Sequence, residues 1–262
     1  MAKSRSGLTS GAGAGVTPSQ PANPPNSVRD TKNVDELRRY MKDKYDINVD
    51  KSVDTLDFGL AKTAAAGIED VIKEFPLAAG LFHEISGNPA SRSGELACAN
   101  MNGRINLNQK RYDGSTNLAQ TYADSTANGF HPAGTTADHI SVHEAGHILE
   151  VAMIYNRIKD GEFTSRYDRI MAWNKCKYAK ELISEAAKLA KKMPDGKGKK
   201  IGELIRDVSV YSTYTRSEAM AECVADYTAN RQNAKPLSRA VWALLKRELC
   251  SHSERSQFRS FL

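Results

Sequence analysis

Hydrophobic residues recur at helical spacing along much of this 262-residue chain, and the longest such run lies near its middle. The segment from Ala137 to Arg157 contains no proline, and either Thr136 or Asp138 can cap its N-terminus. Because its apolar side chains cover most of the helical circumference, the pattern predicts a helix through the centre of a domain. Four ionisable residues interrupt the pattern in one sector of that helix: His139, His143, His147 and Glu150.

The flanking pattern predicts further helices and a small sheet. A helix is expected after the capping residue Asn33, and Asn102-Gly103 is a strong hairpin signal between two short strands. The predicted segments are helices at Val34–Tyr45 and Asp57–Phe75 and strands at Leu77–Ile85, Glu95–Asn100 and Arg104–Asn108. We therefore expect an α+β domain that is mostly helical, with the sheet beside the central helix.

The polar sector of the central helix contains the sequence His143-Glu144-Ala145-Gly146-His147. An HExxH sequence on a helix places two imidazoles one turn apart on a single face, which suits one zinc ion. Glu144 then projects beside the metal and can take a proton from a zinc-bound water. Uncompensated ionisable groups would be costly in a buried helix, and a metal would compensate them. The alternative is a surface helix that carries the pattern by chance.

A zinc hydrolase of this type needs a third protein ligand, and the best candidate lies downstream. Ser217 can cap a helix from Glu218 to about Ala229, with Glu218 and Glu222 on one face at i and i+4. Small residues on the same face would let this helix approach the metal closely. The alternative is an exposed acidic stripe on a solvated helix.

These two segments together resemble the gluzincin metallopeptidases. The closer resemblance is to lethal-factor-like zincin domains of bacterial toxins and of phage or prophage proteins, which carry a tyrosine seven residues before the ligand glutamate and then Ala-Glu. Tyr211, Glu218 and Ala221-Glu222 have that spacing. Gly103–Asn108 and Gly129–Gly134 are also similar to the phage-associated members. The resemblance covers about residues 75–250, and the stretch between the two motifs is longer than in thermolysin-like enzymes.

The resemblance implies a role for each matching residue. His143, His147 and Glu218 would bind Zn²⁺, and Glu144 would act as general base and then as proton donor. Tyr211, chosen over Tyr214 by its spacing, would stabilise the oxyanion. Glu222 would orient a ligand histidine, a role that Asp226 could take instead. In zincins an edge strand holds the substrate backbone by strand addition, and Ile105–Asn108 is the predicted edge.

Two other histidines lie near these motifs. His139 is one turn before His143 but is expected to hydrogen-bond at the margin of the site, since this class rarely takes three ligands from one helix. His131 lies in a Gly-Phe-His-Pro loop and either lines the cleft or serves the turn.

Composition sets the domain organisation. Residues 1–32 are rich in Gly, Ser, Pro and Ala and predict a disordered tail, whereas residues 33–262 are sufficient for one domain, with residues 33–75 as a candidate helical lobe. No apolar segment follows Lys3 and Arg5, so no signal peptide is expected, and no stretch is apolar enough to span a membrane. We expect a cytoplasmic or virion-associated protein. The four dispersed cysteines favour buried thiols over disulfides or a second zinc site.

Charge adds one further feature. The net charge is +6, and residues 157–200 hold thirteen Lys or Arg against six Asp or Glu. This surplus most simply forms the solvated face of an amphipathic helix through Trp173 and Leu189 that ends at Pro194. It could also bind an acidic protein substrate, whereas we do not expect it to bind nucleic acid because the charged side has no interleaved aromatic residues.

The sequence thus predicts a zincin-like α+β domain that acts as a zinc-dependent endopeptidase on a protein or peptide substrate. The alternative from another class is a catalytically inactive, zincin-derived structural or binding protein of a phage or prophage. Glu144 and Tyr211 argue against that alternative, because a purely structural zinc site needs neither.

Overall fold

In a computed structural model, which describes residues 25–89, 94–159, 161–162 and 165–250, helices dominate and one small sheet lies at the side of the central helix. The predicted class, a mostly helical α+β fold, is confirmed. The α-helices are α1 (Val34–Tyr45), α2 (Phe58–Glu74), α3 (Gln109–Tyr112), α4 (Leu118–Ala127), α5 (His139–Lys159), α6 (Arg166–Asn174), α7 (Lys177–Ala190), α8 (Ile201–Val208), α9 (Arg216–Asn230) and α10 (Pro236–Leu249).

Side-chain caps explain where the first helices begin. The Asn33 side chain accepts a hydrogen bond from the backbone N–H of Glu36, and α1 starts at the predicted residue. The Asp57 side chain accepts from Leu60 N and is therefore the N-cap of α2, one residue before the helix starts. Both helices were predicted from the sequence to within one residue at each end.

The sheet is mixed and has the strand order β1-β2-β4-β3. Its strands are β1 (Asn48–Val49), β2 (Glu84–Asn88), β3 (Ala97–Ala99) and β4 (Arg104–Asn108). β1 and β4 both pair parallel with β2, whereas β3 pairs antiparallel with β4, with Ala97 opposite Leu107 and Ala99 opposite Ile105. The predicted hairpin therefore forms between β3 and β4.

The hairpin turn requires glycine at position 103. Gly103 has a φ of +72°, which side chains rarely tolerate, and a Cβ there would lie 1.9 Å from the carbonyl oxygen of Leu81. The turn is thus packed against the segment that leads into β2, and this contact fixes the position of β4 beside β2.

Two strand predictions were wrong. Most of the predicted strand Leu77–Ile85 lies in a 3₁₀ helix, Pro76–Leu81, and only its last two residues belong to β2, which begins at Glu84. Proline at the first position and a run without β-branched residues favour a helical turn there over a strand. Ile105–Asn108 is not an edge either, since β4 is paired on both sides. Among the described residues, β3 is the outer strand next to it.

The helix α5 crosses the centre of the fold, as its all-round apolar pattern predicted. It packs against α2 on one side and α9 on another, and β3 contacts it at the sheet. Ile148, Leu149 and Ile154 are fully buried. Truncating one such leucine to alanine typically costs about 2–5 kcal/mol. The interpretation of the HExxH run as a surface helix is therefore wrong.

Part of the predicted disordered tail belongs to the fold. Ser27–Asp30 makes a short capped turn, Val28 is fully buried, and its backbone N–H donates to Glu69 on α2. Val28 therefore packs with α2, whereas the domain boundary predicted at residue 32 stays a prediction. Residues 1–24 lie outside the described residues.

The lysine-rich segment forms two helices where one was predicted. α6 ends at Asn174, and Cys176, with a φ of 49°, turns the chain into α7. The buried face of α7 includes Leu182 and Ile183, while its lysines lie on the opposite, solvated face. The amphipathic prediction thus holds for α7, but Trp173 belongs to the preceding helix.

Two further expectations concern the whole fold. None of the four cysteines, all within the described residues, forms a disulfide. Along the part of the chain that the structure describes, no helix combines the length and apolar character that crossing a bilayer requires.

Candidate metal centre

The site begins with a close contact between α5 and α9. A Cβ on Gly146 would lie 2.9 Å from the Cα of Ala221, so only glycine at this position allows the two helices to touch. The sequence predicted that small residues would permit this approach, and Ala225 on the same stretch of α9 is fully buried. The helix contact brings Glu218 to the two histidines of α5.

The side chains of His143, His147 and Glu218 converge on one point. The two Nε2 atoms are 3.2 Å apart, and Oε2 of Glu218 lies 3.0 Å from His143 Nε2 and 3.5 Å from His147 Nε2. Ligand atoms of a tetrahedral site with bonds of about 2.0–2.1 Å lie about 3.3–3.4 Å apart. The three atoms therefore have the spacing of three corners of such a site, and the group could hold a metal ion.

The outer nitrogen of His143 fixes the orientation of its ring. His143 Nδ1 lies 2.8 Å from Oε1 of Glu222, and the Ser209 hydroxyl donates to Oε2 of the same carboxylate at 2.7 Å. An ionised carboxylate only accepts hydrogen bonds, so His143 Nδ1 is the donor. His143 Nε2 then faces Glu218 and His147 and is the nitrogen that could bind a metal.

Glu222 was predicted as the acid that orients a ligand histidine, with Asp226 as the alternative. The structure places Glu222 against His143 with no solvent exposure. Asp226 instead accepts from the side-chain amide of Asn230 and from the backbone N–H of Lys235, at the end of α9. The interpretation of α9 as an exposed acidic stripe is wrong, because Glu222 is buried and Glu218 is only 21% exposed.

The electrostatics of the cluster keep Glu218 and Glu222 ionised. Burial favours the neutral form of Glu222, but the hydrogen bonds from His131 and His143 outweigh it and lower the pKa to about 2. The same balance, with His143 and His147 as partners, holds the pKa of Glu218 well below its usual range. Burial likewise opposes the charged form of His143, yet Glu218 and Glu222 raise its pKa well above the usual value.

This charge balance fits a cation at the point of convergence. Glu218 and Glu222 are anionic, and without a metal the proton that they favour on His143 supplies the balancing positive charge. A bound cation would replace that proton and leave the lone pairs of both inner nitrogens as ligands. The donor set of two nitrogens and one carboxylate oxygen is one that zinc sites use.

Glu144 occupies the space between the cluster and the sheet. It is 7% exposed and lies close to β3, where the Ala99 backbone contributes a hydrogen bond to its carboxylate. Burial raises the pKa of Cys98, and the negative charge of Glu144 adds to that rise. Burial raises the pKa of Glu144 itself, only partly offset by His143 and His147. A carboxylate with a raised pKa is a stronger base than one in water.

Tyr211 lies over His143, with ring centroids 5.5 Å apart. Burial and the negative charges of Glu218 and Glu144 raise the pKa of Tyr211, so its hydroxyl stays protonated and can donate. Its backbone N–H donates to Phe130 O, and Val210 N donates to Gly129 O. Tyr214, the other candidate, is 62% exposed and packs its ring against that of Tyr211 at 5.2 Å.

A cavity of about 370 Å³ opens beside these groups. It is bounded by β3 at Ala97, by the catalytic candidates Glu144 and Tyr211, and by His131. The His131 ring stacks on Tyr122 at 4.5 Å and its Nδ1 lies 3.4 Å from Glu222. Of its two predicted roles, His131 therefore takes the one that lines the cleft.

His139 does not join the cluster. Its Nδ1 accepts from the backbone N–H of Thr136 at 3.1 Å, and this contact closes the first turn of α5. Neither Ser209 nor the contact of Ser217 with His147 was predicted, since a lone serine gives no signal in a single sequence. The predicted cap of α9, Ser217, was wrong, because Thr215 accepts from Glu218 N and Ser217 lies inside the helix.

Comparisons with protein-family models, curated proteins and solved structures find no match to this chain.

Proposed function

We propose that this chain is a zinc-dependent endopeptidase that hydrolyses peptide bonds in a protein or peptide substrate. One observation carries the proposal: the convergence of His143, His147 and Glu218 beside a cavity that Glu144 and Tyr211 also line. A structural metal site needs neither a buried carboxylate nor a phenol next to open space.

The sequence resemblance supports the same conclusion. HExxH, the downstream ligand glutamate and the tyrosine seven residues before it have the spacing of gluzincins, and in particular of lethal-factor-like zincin domains. The three-dimensional arrangement brings these separated residues into one cluster, which spacing alone does not guarantee.

The zinc ion would be held by His143, His147 and Glu218, and when bound it supplies a Lewis acid that polarises a carbonyl and lowers the pKa of a coordinated water toward neutrality. Glu144 then accepts the proton of the attacking water, and its raised pKa suits that step. The same carboxyl group returns the proton to the leaving amine, so Glu144 is unchanged after one turnover.

Tyr211 stabilises the developing oxyanion. As water adds to the carbonyl carbon, negative charge forms on the carbonyl oxygen, and a phenol directed at that oxygen helps the transition state more than the ground state. Its ring is held by His143 on one face and by the backbone bond to Phe130, so the hydroxyl is positioned before substrate binds.

The substrate backbone binds along β3. Ala97 of β3, the outermost strand of the sheet among the described residues, lines the same cavity, and Glu144 lies near both that strand and the two histidines. An extended peptide added to this edge would place its carbonyl groups next to Glu144. The role first predicted for Ile105–Asn108 thus passes to Ala97–Ala99.

The test combines metal content with peptide hydrolysis. Purified wild-type protein is expected to hold one zinc per chain by elemental analysis and to cleave members of a peptide library, with cleavage abolished by a chelator and restored by zinc. Glu144→Gln keeps the metal and loses about 10²–10⁴ in turnover, because the amide preserves shape and removes the base. Glu181→Gln on the exposed face of α7 is the matched control and behaves as wild type.

Three outcomes would overturn parts of the proposal. Absence of bound zinc from wild-type protein would remove the metal centre. His143→Ala with stoichiometric zinc would remove that ligand. Zinc binding without cleavage of any peptide would favour the alternative of an inactive, zincin-derived structural or binding protein.

A further inference from the structure

Glu150 lies on α5 one turn beyond His147 and is almost completely buried, at 1% exposure. Burying a carboxylate is costly unless it is paired and hydrogen-bonded. The proposed reaction uses Glu144, Glu218 and Tyr211 and leaves Glu150 without a role, so its burial requires another explanation.

Both oxygens of Glu150 are engaged. Oε2 accepts from the Ser217 hydroxyl at 2.5 Å, and Oε1 accepts from the backbone N–H of Ala179 at 3.3 Å. The Ser217 oxygen in turn lies 3.0 Å from Nδ1 of His147. The three side chains form a continuous line from the start of α7 to the second histidine of the HExxH motif.

The proton count fixes the direction of this line. A hydroxyl has a single proton, and Ser217 gives it to Glu150, so the Ser217 oxygen must accept from His147 Nδ1–H. His147 is then held with its proton on Nδ1 and its Nε2 lone pair toward His143 and Glu218. We propose that Ser217 and Glu150 are positioning residues that hold His147 in the one tautomer able to bind the metal.

The relay consisting of Glu150, Ser217 and His147 has a counterpart on the other histidine. Glu222 accepts directly from His143 Nδ1, whereas His147 reaches its carboxylate only through Ser217. Position 217 is on α9 next to Glu218, so one helix supplies both a ligand and the group that orients another ligand. This contact also explains why Thr215 rather than Ser217 caps α9.

The relay also connects the metal centre to the segment between the two motifs. Ala179 is the third residue of α7, and its backbone N–H is one of the donors that a helix start leaves without an intrahelical partner. Glu150 satisfies that donor, and the positive end of the α7 dipole favours the ionised carboxylate. The α6–α7 segment therefore contributes to the orientation of His147 through this backbone N–H, and also through Trp173, whose ring lies edge-to-face with that of His147 at a centroid distance of 6.3 Å.

The inference rests on the proposed zinc site, and it is tested by zinc affinity rather than by peptidase activity. In chelator competition, Ser217→Ala should weaken zinc binding by about 10- to 100-fold, because His147 loses the acceptor that holds its tautomer. Ser217→Thr retains the hydroxyl and should stay close to wild type. Thr228→Ala is the matched control, since its hydroxyl bonds only the backbone of the same helix at Val224.

Glu150→Gln separates positioning from a purely structural role. The amide either accepts from Ser217 and faces Ala179 N–H with a second donor, or donates to Ser217 and reverses the line, which places the proton on Nε2 of His147. Zinc binding should fall by about 10-fold, because the first arrangement sets two donors against each other at Ala179 and the second moves the proton of His147 to Nε2, while the circular dichroism spectrum stays that of wild type.

Nitrogen-15 NMR of histidine-labelled protein without metal makes the test independent of zinc. Wild type should show His147 protonated at Nδ1, and Ser217→Ala should show a mixture of both tautomers. If wild-type protein binds no zinc, the endopeptidase proposal fails and this measurement still decides the relay. Zinc affinity in Ser217→Ala equal to that of Thr228→Ala, or a wild-type His147 protonated at Nε2, would overturn the inference.

Discussion

Two glutamates with no solvent exposure, Glu69 and Glu222, show how similar burial serves different purposes. Glu69 on α2 accepts from Tyr40, Tyr45 and Val28 N and pairs with Lys73. Burial opposes its charge, but these partners outweigh it and lower the pKa of Glu69. Together these contacts join Val28 and α1 to α2.

The two histidines that bond Glu222 on α9 also take part in the metal cluster or line the cavity. His143 donates one nitrogen to Glu222 and directs the other at the metal cluster, and His131 bonds Glu222 while lining the cavity. Burial and a lowered pKa are common to Glu69 and Glu222 and therefore do not identify a functional carboxylate. A functional carboxylate is identified instead by partners that also contact the metal cluster or line the cavity.

The largest effect is expected from a substitution of the candidate metal ligand Glu218. Glu218→Ala should lose nearly all bound zinc, because two histidines cannot close the site, while the fold persists. Elemental analysis and circular dichroism measure the two effects. A greater zinc loss in Glu222→Ala than in Glu218→Ala would exchange their roles.

Tyr211→Phe tests the group that covers the cluster. We expect zinc and substrate binding to stay near normal while kcat falls about 10²- to 10³-fold, since removing one oxyanion donor has a cost of that size. Steady-state kinetics of Tyr211→Phe and of the exposed control Tyr214→Phe decide this. A normal kcat in the first variant, or a larger loss in the second, removes Tyr211 from the mechanism.

Glu222→Ala and Glu69→Gln form a matched pair across the two regions. Glu222→Ala should weaken zinc binding about 10- to 100-fold, whereas Glu69→Gln should leave zinc affinity unchanged. Competition with a chelating dye measures both variants. Equal loss of zinc affinity in the two variants would mean that zinc binding depends on overall stability. Glu222 and Glu69 would then not differ in their effect on the metal site.

The reciprocal measurement is stability. Glu69→Gln should lower the free energy of unfolding by about 1–3 kcal/mol, because Tyr40, Tyr45 and the Val28 N–H lose an anionic acceptor in a buried site. Urea denaturation of metal-free protein provides the value. An unchanged denaturation midpoint would show that Tyr40, Tyr45 and the Val28 N–H form hydrogen bonds with water or with one another in the variant.

The smallest expected effect is the pH dependence of the difference in stability between wild type and Glu69→Gln. The pKa of Glu69 is lowered in the fold, so its contribution is complete above the usual glutamate pKa of about 4.3 and declines as the pH falls through the native value. The stability gap between wild type and Glu69→Gln should therefore narrow on acidification below that range. A gap that widens toward low pH would reverse the sign and contradict the assignment of charge.

Features that depend on residues close together in the chain could be predicted from the amino-acid sequence. The helical period placed His143, Glu144 and His147 on one buried helix, and the caps Asn33 and Asp57 fixed two helix starts. Asn102-Gly103 marked the β3–β4 hairpin because a turn with a positive φ is encoded locally. These signals arise within a few residues, where propensity and hydrogen-bond geometry decide the outcome.

Tertiary structure decided which of several suitable residues meet. It selected Thr215 over Ser217 as the cap, Glu222 over Asp226 as the partner of His143, and β3 over β4 as the edge strand. It also gave Ser217 and Glu150 their contacts with His147 and with α7. These choices depend on how α5, α9 and the sheet pack across long sequence separations, and packing at that range is set by the whole core rather than by any local pattern.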